Sequence, residues 1–150
     1  MPASFTSLHY HIIFGTKERR SLLTSAVQAR LYDYIGGIIA QEGGQLLAAG
    51  GMPDHVHLLA ILPPTRAVSD VMRVVKTNSS KWLHETFPEM RAFGWQDGYG
   101  AFAVSRSAVE EVKRYIAIQE EHHRKLTFEE EFVAFLKRHG IEYDERYLWR

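Results

Sequence analysis

The chain has 150 residues, 18 basic and 18 acidic side chains, zero formal net charge, 45% apolar residues and no cysteine. We predict one globular domain over residues 1–150, because length and composition are ordinary for such a domain. The missing cysteines exclude disulfides, thiolate zinc sites and cysteine nucleophiles. No signal peptide or apolar run of about 20 residues is recognisable, so we expect a cytoplasmic protein without a membrane partner.

Charge is unevenly distributed along the chain despite the zero net value. Residues 66–81 contain four basic and one acidic side chain, whereas residues 127–145 contain two basic and six acidic ones. Zero net charge argues against bulk electrostatic binding of nucleic acid. A local basic face is nevertheless compatible with this pattern.

The first half of the chain alternates strand and helix signals. Aromatic and β-branched residues predict a strand over 7–14, and short strands are predicted over 45–49 and 55–62. Helical periodicity predicts one helix from the Thr24 cap to about 42 and another over 67–86. A turn is predicted over residues 50–54.

The second half is predicted to begin with a hairpin and to end with two helices. Asp97-Gly98 is a strong hairpin signal between strands at 93–96 and 99–104. Two capping boxes predict helix starts, one at Ser107 and Glu110 for a helix over 108–124 and one at Thr127 and Glu130 for a helix ending near His139. The first six elements match the ferredoxin-like pattern, an α+β antiparallel sheet with helices on one face.

The sharpest chemical feature is His55-Val56-His57 in the third predicted strand. Residues i and i+2 of a strand point to the same face, about 6.6 Å apart along the chain. Two imidazoles so placed can converge on one metal ion, with Asp54 as a candidate partner that orients a ring. Two inert, hydrogen-bonded histidines are the alternative interpretation.

Other histidines have weaker signals. His9-Tyr10-His11 repeats the spacing in the first strand, and we expect His9 to be structural or exposed and His11 to approach substrate. A four-histidine site is conceivable but has no supporting geometry. His122 and His123 lie near a helix end, where solvated histidines are favoured, although both could approach a metal or phosphate.

Tyr115 and Gln119 lie four residues apart, so their side chains share one helix face. A tyrosine hydroxyl becomes a nucleophile when a metal or base activates it. Gln119 can offer a carbonyl oxygen, and two imidazoles plus oxygen suit Mg²⁺ or Mn²⁺. Ordinary packing is the alternative for this pair.

Basic residues in two places are candidate phosphate contacts, which position nucleic acid without reading its sequence. An ordinary solvated charge cluster is the alternative. The candidates are Lys17, Arg19 and Arg20 in the loop after the first strand, and Arg73 and Lys76 on the second helix.

The residues taken together resemble the insertion-sequence-200-like transposases, the single-tyrosine HUH endonucleases. The resemblance covers nearly the whole chain, and its motifs are specific as an ordered set. They are residues 11–19 (HIIFGTKER), 52–59 (MPDHVHLL), 95–102 (WQDGYGAF), 104–107 (VSRS), 115–119 (YIAIQ), 121–125 (EHHRK) and 140–149 (GIEYDERYLW).

The resemblance implies a role for each of four residues. His55, His57 and Gln119 would hold a divalent metal ion, Mg²⁺ or Mn²⁺, and Tyr115 would be the nucleophile. The implied fold has a ferredoxin-like core with extra C-terminal helices that carry the nucleophile. The implied assembly is a homodimer whose tyrosine helix acts in trans.

The implied activity is cleavage and rejoining of single-stranded DNA with hairpin ends through a 5′-phosphotyrosine intermediate. Three alternatives remain open on sequence. They are a domesticated palindrome-processing enzyme, an inactive nucleic-acid-binding module of the same fold, and a phosphodiesterase that uses water.

Overall fold

The computed structural model describes residues 4–123 and 126–149, with the side chains of Glu120 and His122 outside that description. Among these residues, no helix is both long and apolar enough to cross a bilayer. The main elements are β1 (His9–Gly15), α1 (Ser25–Gln41), β2 (Gln45–Met52), β3 (His55–Ile61), α2 (Val68–Thr86), β4 (Gly100–Val104), α3 (Val109–Ala117), α4 (Gln119–His122) and α5 (Phe128–Arg138). Short 3-10 turns lie at Lys17–Arg19, Pro88–Met90 and Arg106–Ala108.

The four strands form one antiparallel sheet in the order β2-β3-β1-β4. Two βαβ units, β1-α1-β2 and β3-α2-β4, therefore interlock, which is the ferredoxin-like arrangement that the sequence predicts. The fold-class prediction is confirmed. The centre of the sheet is the pair β1 and β3, whose side chains alternate between the two faces of the sheet.

Each face of the sheet has its own apolar cluster. Ile12, Phe14, Val56 and Leu58 face α1 and α2 in the larger cluster. On the opposite face, Ile13 and Phe102 pack with α5, and Leu59 packs with Val109 and Ile116 of α3. The C-terminal helices thus cover the face to which His55 and His57 point.

The predicted hairpin around Asp97-Gly98 is wrong. β4 pairs with β1, and residues 93–96 contribute an isolated bridge between Trp95 and Thr16. The Lys76 ammonium instead binds the loop, donating to the carbonyl oxygens of Gln96, Asp97 and Gly98 at 2.7, 3.1 and 2.5 Å. A side chain from α2 therefore supplies the loop's stabilising contacts, which a local turn signal does not report.

The two predicted capping boxes have different outcomes. Thr127 and Glu130 form the reciprocal box at the start of α5. Ser107 does not cap α3, because its hydroxyl pairs with Ser105 at 3.0 Å and a 3-10 turn leads into the helix. The helix predicted over 108–124 is also interrupted at Ile118, where the backbone leaves helical geometry before α4 begins.

Gly50 and Gly51 belong to β2 rather than to the predicted turn, and Gly50 pairs with His57. A Cβ atom on Gly50 would lie 2.6 Å from the backbone oxygen of Ile116. The missing side chain therefore lets α3, which carries Tyr115, approach the sheet closely.

We predict that Gly50→Ala destabilises the protein by about 1–3 kcal/mol, because overpacking forces the backbone apart. Gly37→Ala is the matched control, since Gly37 lies in α1 with open space around its Cα. The control is expected to stabilise by up to about 1 kcal/mol, as alanine favours helix. Urea denaturation measures both values, and equal effects of the two substitutions would contradict the close-approach argument.

Candidate active site

The candidate site lies at the start of β3, on the face covered by the C-terminal helices. The side chains of His55 and His57 are completely buried. Val56, between them, points to the other face of the sheet and packs in the larger apolar cluster. The two-residue strand period accounts for this division. The placement predicted for the histidines on one face is thus observed.

A buried carboxylate, Glu131 of α5, lies at the centre of the site. Its Oε1 atom is 2.9 Å from Nε2 of His57, 3.5 Å from Nε2 of His55 and 3.3 Å from Nε2 of His123. Only 1% of the Glu131 side chain is exposed. Burial alone would raise the pKa of Glu131, but hydrogen bonds from His123, His55 and His57 lower it well below its usual value.

Glu131 is not among the site residues predicted from the sequence, although the sequence contains a signal for it. Glu131 follows Phe128 by three residues and precedes Phe135 by four, so it lies on the apolar face of α5. The adjacent Glu129 and Glu130, which are exposed, made the three residues resemble an ordinary acidic surface run. An acidic residue at a helix position that should face the core is the informative pattern.

Gln119 reaches the same place from the start of α4. Its Oε1 atom lies 3.2 Å from Nε2 of His55 and 3.1 Å from Nε2 of His123. Gln119 is 2% exposed, so its amide oxygen is oriented inside the site rather than toward solvent. His123, for which the sequence favoured a solvated position, is buried here instead.

Tyr115 is joined to the cluster by Glu131. The phenol hydroxyl donates to Oε2 of Glu131, and the ring centre lies 5.8 Å from that of His57 in the same chain. Burial, together with this hydrogen bond to an anion, raises the pKa of Tyr115 above its ordinary value. The tyrosine is half-buried, so its ring borders both the cluster and open space.

An outer layer of contacts orients the two imidazoles. Nδ1 of His55 lies 2.8 Å from Asp54 Oδ1, and Nδ1 of His57 lies 2.8 Å from Nε2 of His11. The His55 ring also stacks on Phe128 with 4.2 Å between centroids. Because both Nδ1 atoms are engaged, both Nε2 atoms face Glu131, which is the arrangement that metal-binding histidines use.

The electrostatics differ between the histidines. Burial lowers the pKa of His57 to about 4 although Glu131 opposes the shift. Burial and the neighbouring His57 lower the pKa of His11 to about 3. For His55, burial acts downward, but hydrogen bonds to Asp54 and Glu131 outweigh it and raise the pKa. His57 and His11 are therefore neutral at physiological pH, which is the state that metal binding to His57 would require.

Three of the five predicted phosphate contacts lie together. Lys17, Arg19 and Arg20 occupy the turn after β1, at the sheet end where Gly15 pairs with His55. Arg19 pairs with Glu129 at 2.8 Å, and Arg20 pairs with Glu18 at 3.1 Å.

The other two predicted contacts, Arg73 and Lys76, lie on α2, which covers the opposite face of the sheet. Arg73 is exposed and lies 3.6 Å from Asp70. Burial lowers the pKa of Lys76 to about 8, and three carbonyl oxygens occupy its ammonium. The Lys76 ammonium thus stabilises the loop at residues 96–98, and its contact with phosphate stays a prediction.

The other histidines considered in the sequence occupy different environments. His9 is buried beside Ser7, with 3.3 Å between Nδ1 and the hydroxyl, which agrees with a structural role. His11 contacts His57 directly rather than lying beside it as a free substrate contact. The side chain of His122, and residues Arg124 and Lys125 of the family motif, lie outside the described residues.

The donor atoms of His55, His57 and Glu131 lie within 4.8 Å of one another, so this group could bind a metal ion. Imidazole nitrogen, carboxylate oxygen and the nearby Gln119 amide oxygen fit a divalent cation of intermediate or hard character. The donors are buried and their outer hydrogen bonds are satisfied. Both properties favour a site that is formed before a metal arrives.

Comparison with known proteins identifies the family of this chain. Residues 4–119 match the family described as "Transposase IS200 like". The chain belongs to the IS200-like transposases. It is 31% identical over 117 residues to the ISDra2 transposase TnpA of Deinococcus radiodurans, covering 75% of this chain and 84% of the relative. It is 28% identical to the transposase of insertion sequence IS200 from Salmonella typhimurium, covering 73% and 75%.

Solved structures of transposases share the fold. A transposase structure from Deinococcus radiodurans R1 superposes with a TM-score of 0.63 at 28% identity, covering 79% of this chain and 96% of the other. A REP-associated tyrosine transposase bound to a REP hairpin superposes with a TM-score of 0.60 at 18% identity, covering 82% and 74%. The second likeness concerns the fold alone. The family is therefore established for this chain independently of the site geometry.

The buried histidines predict a pH dependence of stability. The folded pKa values of His57 and His11, about 4 and about 3, lie below the ordinary 6.5. The unfolded chain therefore binds more protons between pH 6.5 and about 4, so stability falls as the pH drops through this window. The depressed pKa of Glu131 adds to the loss below pH 4.5. The raised pKa of His55 acts above this window, where it increases stability as the pH falls toward 6.5, and it adds no slope at lower pH.

His11→Gln isolates one part of this dependence, because glutamine can still hydrogen bond to His57 but does not titrate. We expect the slope of unfolding free energy against pH to decrease by up to about 1.4 kcal/mol per pH unit, the value for one proton. Urea denaturation from pH 7 to 4 with a chelator present measures this slope. A slope unchanged from wild type would show that His11 is not held neutral by folding.

Proposed function

We propose that this IS200-like transposase cleaves and rejoins single-stranded DNA by using Tyr115 as a nucleophile beside a divalent metal ion. The observation that carries the proposal is the link through Glu131. One carboxylate oxygen accepts from the Tyr115 phenol and the other contacts Nε2 of His57. A candidate nucleophile and a candidate metal-binding group therefore share one buried side chain.

His55, His57 and Gln119 are the proposed metal ligands, and the proximity of the Glu131 carboxylate to both imidazoles supports its addition to the proposed set. The proposed ion is Mg²⁺ or Mn²⁺, since both accept imidazole and oxygen donors. When bound, such an ion supplies charge neutralisation at the scissile phosphate. Asp54 and His11 would orient the two histidines through their Nδ1 atoms.

The proposed reaction exchanges one phosphodiester bond for another, so the bond energy is conserved. The Tyr115 oxygen attacks phosphorus, a bond from phosphorus to the tyrosine oxygen forms, and the bond to the leaving 3′ oxygen breaks. The phenol loses one proton and the leaving 3′ oxygen gains one, so the departing strand ends as a 3′-hydroxyl and the step is balanced in protons. A second 3′-hydroxyl then attacks the 5′-phosphotyrosine link, which releases Tyr115 and joins new ends. No nucleotide cofactor is needed, because the link retains the bond energy.

Glu131 has two effects on Tyr115. Its hydrogen bond fixes the phenol oxygen at the edge of the donor cluster, and proximity of this kind makes a large contribution to phosphoryl transfer. The same negative charge raises the pKa of Tyr115, so the phenol is held as a neutral donor. Glu131 is thus a positioning residue for the nucleophile as well as a proposed ligand.

Hairpin DNA is the proposed substrate. The REP-associated tyrosine transposase of the same fold is bound to a REP hairpin, which supports this substrate class. Lys17, Arg19 and Arg20 lie at the sheet end nearest His55, where they can contact the phosphate backbone. Arg73, on the other face, would require the DNA to extend around the sheet.

A homodimer is part of the proposal, and its arrangement needs a direct test. Tyr115 contacts Glu131 and lies near His57 of its own chain. A site completed in cis therefore requires no second copy. An exchange of α3 and α4 between subunits would bring the same side chains together in trans.

We predict that the protein forms a covalent adduct with end-labelled hairpin oligonucleotides from the gene's flanks when Mg²⁺ or Mn²⁺ is present. Tyr115→Phe removes the nucleophilic oxygen, and His57→Ala removes a metal ligand, so both variants should lose the labelled protein band on a denaturing gel. Chelator should abolish it as well. A Phe5→Ala variant, in which an exposed residue is changed, is the matched control.

Each other outcome identifies an alternative function. Tight hairpin binding without adduct under either metal indicates a nucleic-acid-binding module. Full DNA cleavage by Tyr115→Phe indicates a phosphodiesterase that uses water.

Mixing the two inactive variants tests assembly, because adduct formation is restored only if one subunit's tyrosine serves another subunit's histidines.

Glu131→Gln is predicted to weaken Mn²⁺ binding by at least about tenfold, because it removes the negative charge from the donor set while keeping the side-chain shape. Glu130→Gln is the matched control, since glutamine also serves in a capping box and Glu130 is exposed. Calorimetric titration of each purified variant measures the affinity. Equal affinity in the two variants would remove Glu131 from the ligand set.

A further inference from the structure

A cavity of about 340 Å³ opens beside Tyr115, outside the cluster of donor atoms. It lies between β4, the first turns of α3 and the last turn of α5. Its position follows from the sheet order, because β4 is an edge strand of the sheet and α5 packs against Phe102 of that strand. The residues that define its chemistry are Phe102, Glu111, Tyr115, Phe135, Arg138 and His139.

Flat rings form much of the cavity wall. Phe102 and Phe135 stack with 5.4 Å between centroids at 26°. The His139 ring lies 4.5 Å from that of Phe102, and Phe135 meets Tyr115 edge-on at 5.7 Å. Phe135 is partly buried and His139 is exposed, so ring surface remains available to a planar ligand.

The polar groups around the cavity favour a neutral ligand with hydrogen-bonding edges. Glu111 and Arg138 line it with opposite charges, so the cavity has no net charge that would select an anion. The Arg138 guanidinium lies over the Phe135 ring, 5.5 Å from its centre, and adds another flat group to the cavity wall. The outer edge of β4 presents backbone N–H and C=O groups beside the rings.

We propose that this cavity binds one unpaired nucleobase of the DNA strand next to the scissile phosphate. The proposal rests on the proposed function, because the nucleotide attacked by Tyr115 must lie against the phenol that the cavity shares. The volume is at the lower end of ligand pockets, about 300–1,000 Å³, which suits one planar group. Stacking on Phe135 and His139 would hold the base, and Glu111 would accept a hydrogen bond from an exocyclic amino group.

Such a site would make base unpairing part of substrate choice. Enzymes that act on nucleic acid commonly hold an unpaired base between aromatic side chains. A base stacked in the cavity would place its own phosphodiester beside the Tyr115 oxygen. The cavity would then position the scissile bond, while the donor cluster and Tyr115 carry out the chemistry.

Photo-crosslinking tests base binding without requiring cleavage. Random single-stranded oligonucleotides of about 12 nucleotides, each with one 5-iododeoxyuridine or one 8-bromodeoxyadenosine, are irradiated with full-length Tyr115→Phe protein in chelator. The two probes cover pyrimidine and purine bases. We expect cross-links on Phe135, His139 or Phe102 by mass spectrometry. Cross-links that lie only outside the cavity with both probes would overturn the proposal.

Substitution gives the second measurement. Phe135→Ala and His139→Ala are each expected to weaken binding of the oligonucleotide by roughly 5- to 150-fold, the range for loss of one base stack. His139→Ala changes an exposed side chain and leaves the side chains of Phe135 and Tyr115 themselves unaltered. Phe5→Ala is the control. Unchanged affinity in both cavity variants would contradict the proposal.

The two proposals can fail separately. Cavity cross-links without any covalent adduct in wild type would support the base site and reject the tyrosine chemistry. Covalent adduct with no cavity cross-link, together with normal rates in both cavity variants, would support the tyrosine chemistry and reject the base site. When adduct forms, an abasic nucleotide beside the cleavage point should lower the rate, and His139→Ala should lower it little further.

Discussion

The buried carboxylate of Glu131 is the interaction on which the arrangement of the site depends. An unpaired charge in a protein interior is strongly unfavourable, so a buried carboxylate requires close partners. His57 and His55 of β3, His123 after α4, and Tyr115 of α3 supply them. The requirement to compensate one charge therefore links the central strand to three separate helical segments.

The same compensation explains how stability and chemistry are coupled. The contacts that hold Glu131 also hold the Tyr115 phenol as a neutral hydrogen-bond donor, with its pKa raised. A cation among these donors would reverse the local electrostatic balance, because bound ions are often the largest charges in a site. Replacing buried ionic networks with apolar residues is often neutral or stabilising. The network is therefore better explained by function than by its contribution to folding.

The sequence could predict the strand-borne part of the site because strand periodicity is strictly local. His55 and His57 must share a face wherever β3 packs, and Tyr115 and Gln119 must share a helix face. Glu131 could be found only by placing it on the apolar face of α5, since its neighbours Glu129 and Glu130 conceal it in an acidic run. The Asp97-Gly98 turn was misassigned because Lys76, distant in sequence, determines that loop.

The core positions Tyr115, the proposed nucleophile, through backbone contact rather than through side chains alone. Gly50 pairs with His57 in the sheet and also lies against the backbone of Ile116, the residue after Tyr115. One glycine thus sets the distance between the strand that carries the imidazoles and the helix that carries the phenol. Because packed interiors resist expansion, this distance is as well defined as the sheet itself. A mechanism that depends on sub-ångström positioning gains its precision from the rigid part of the fold.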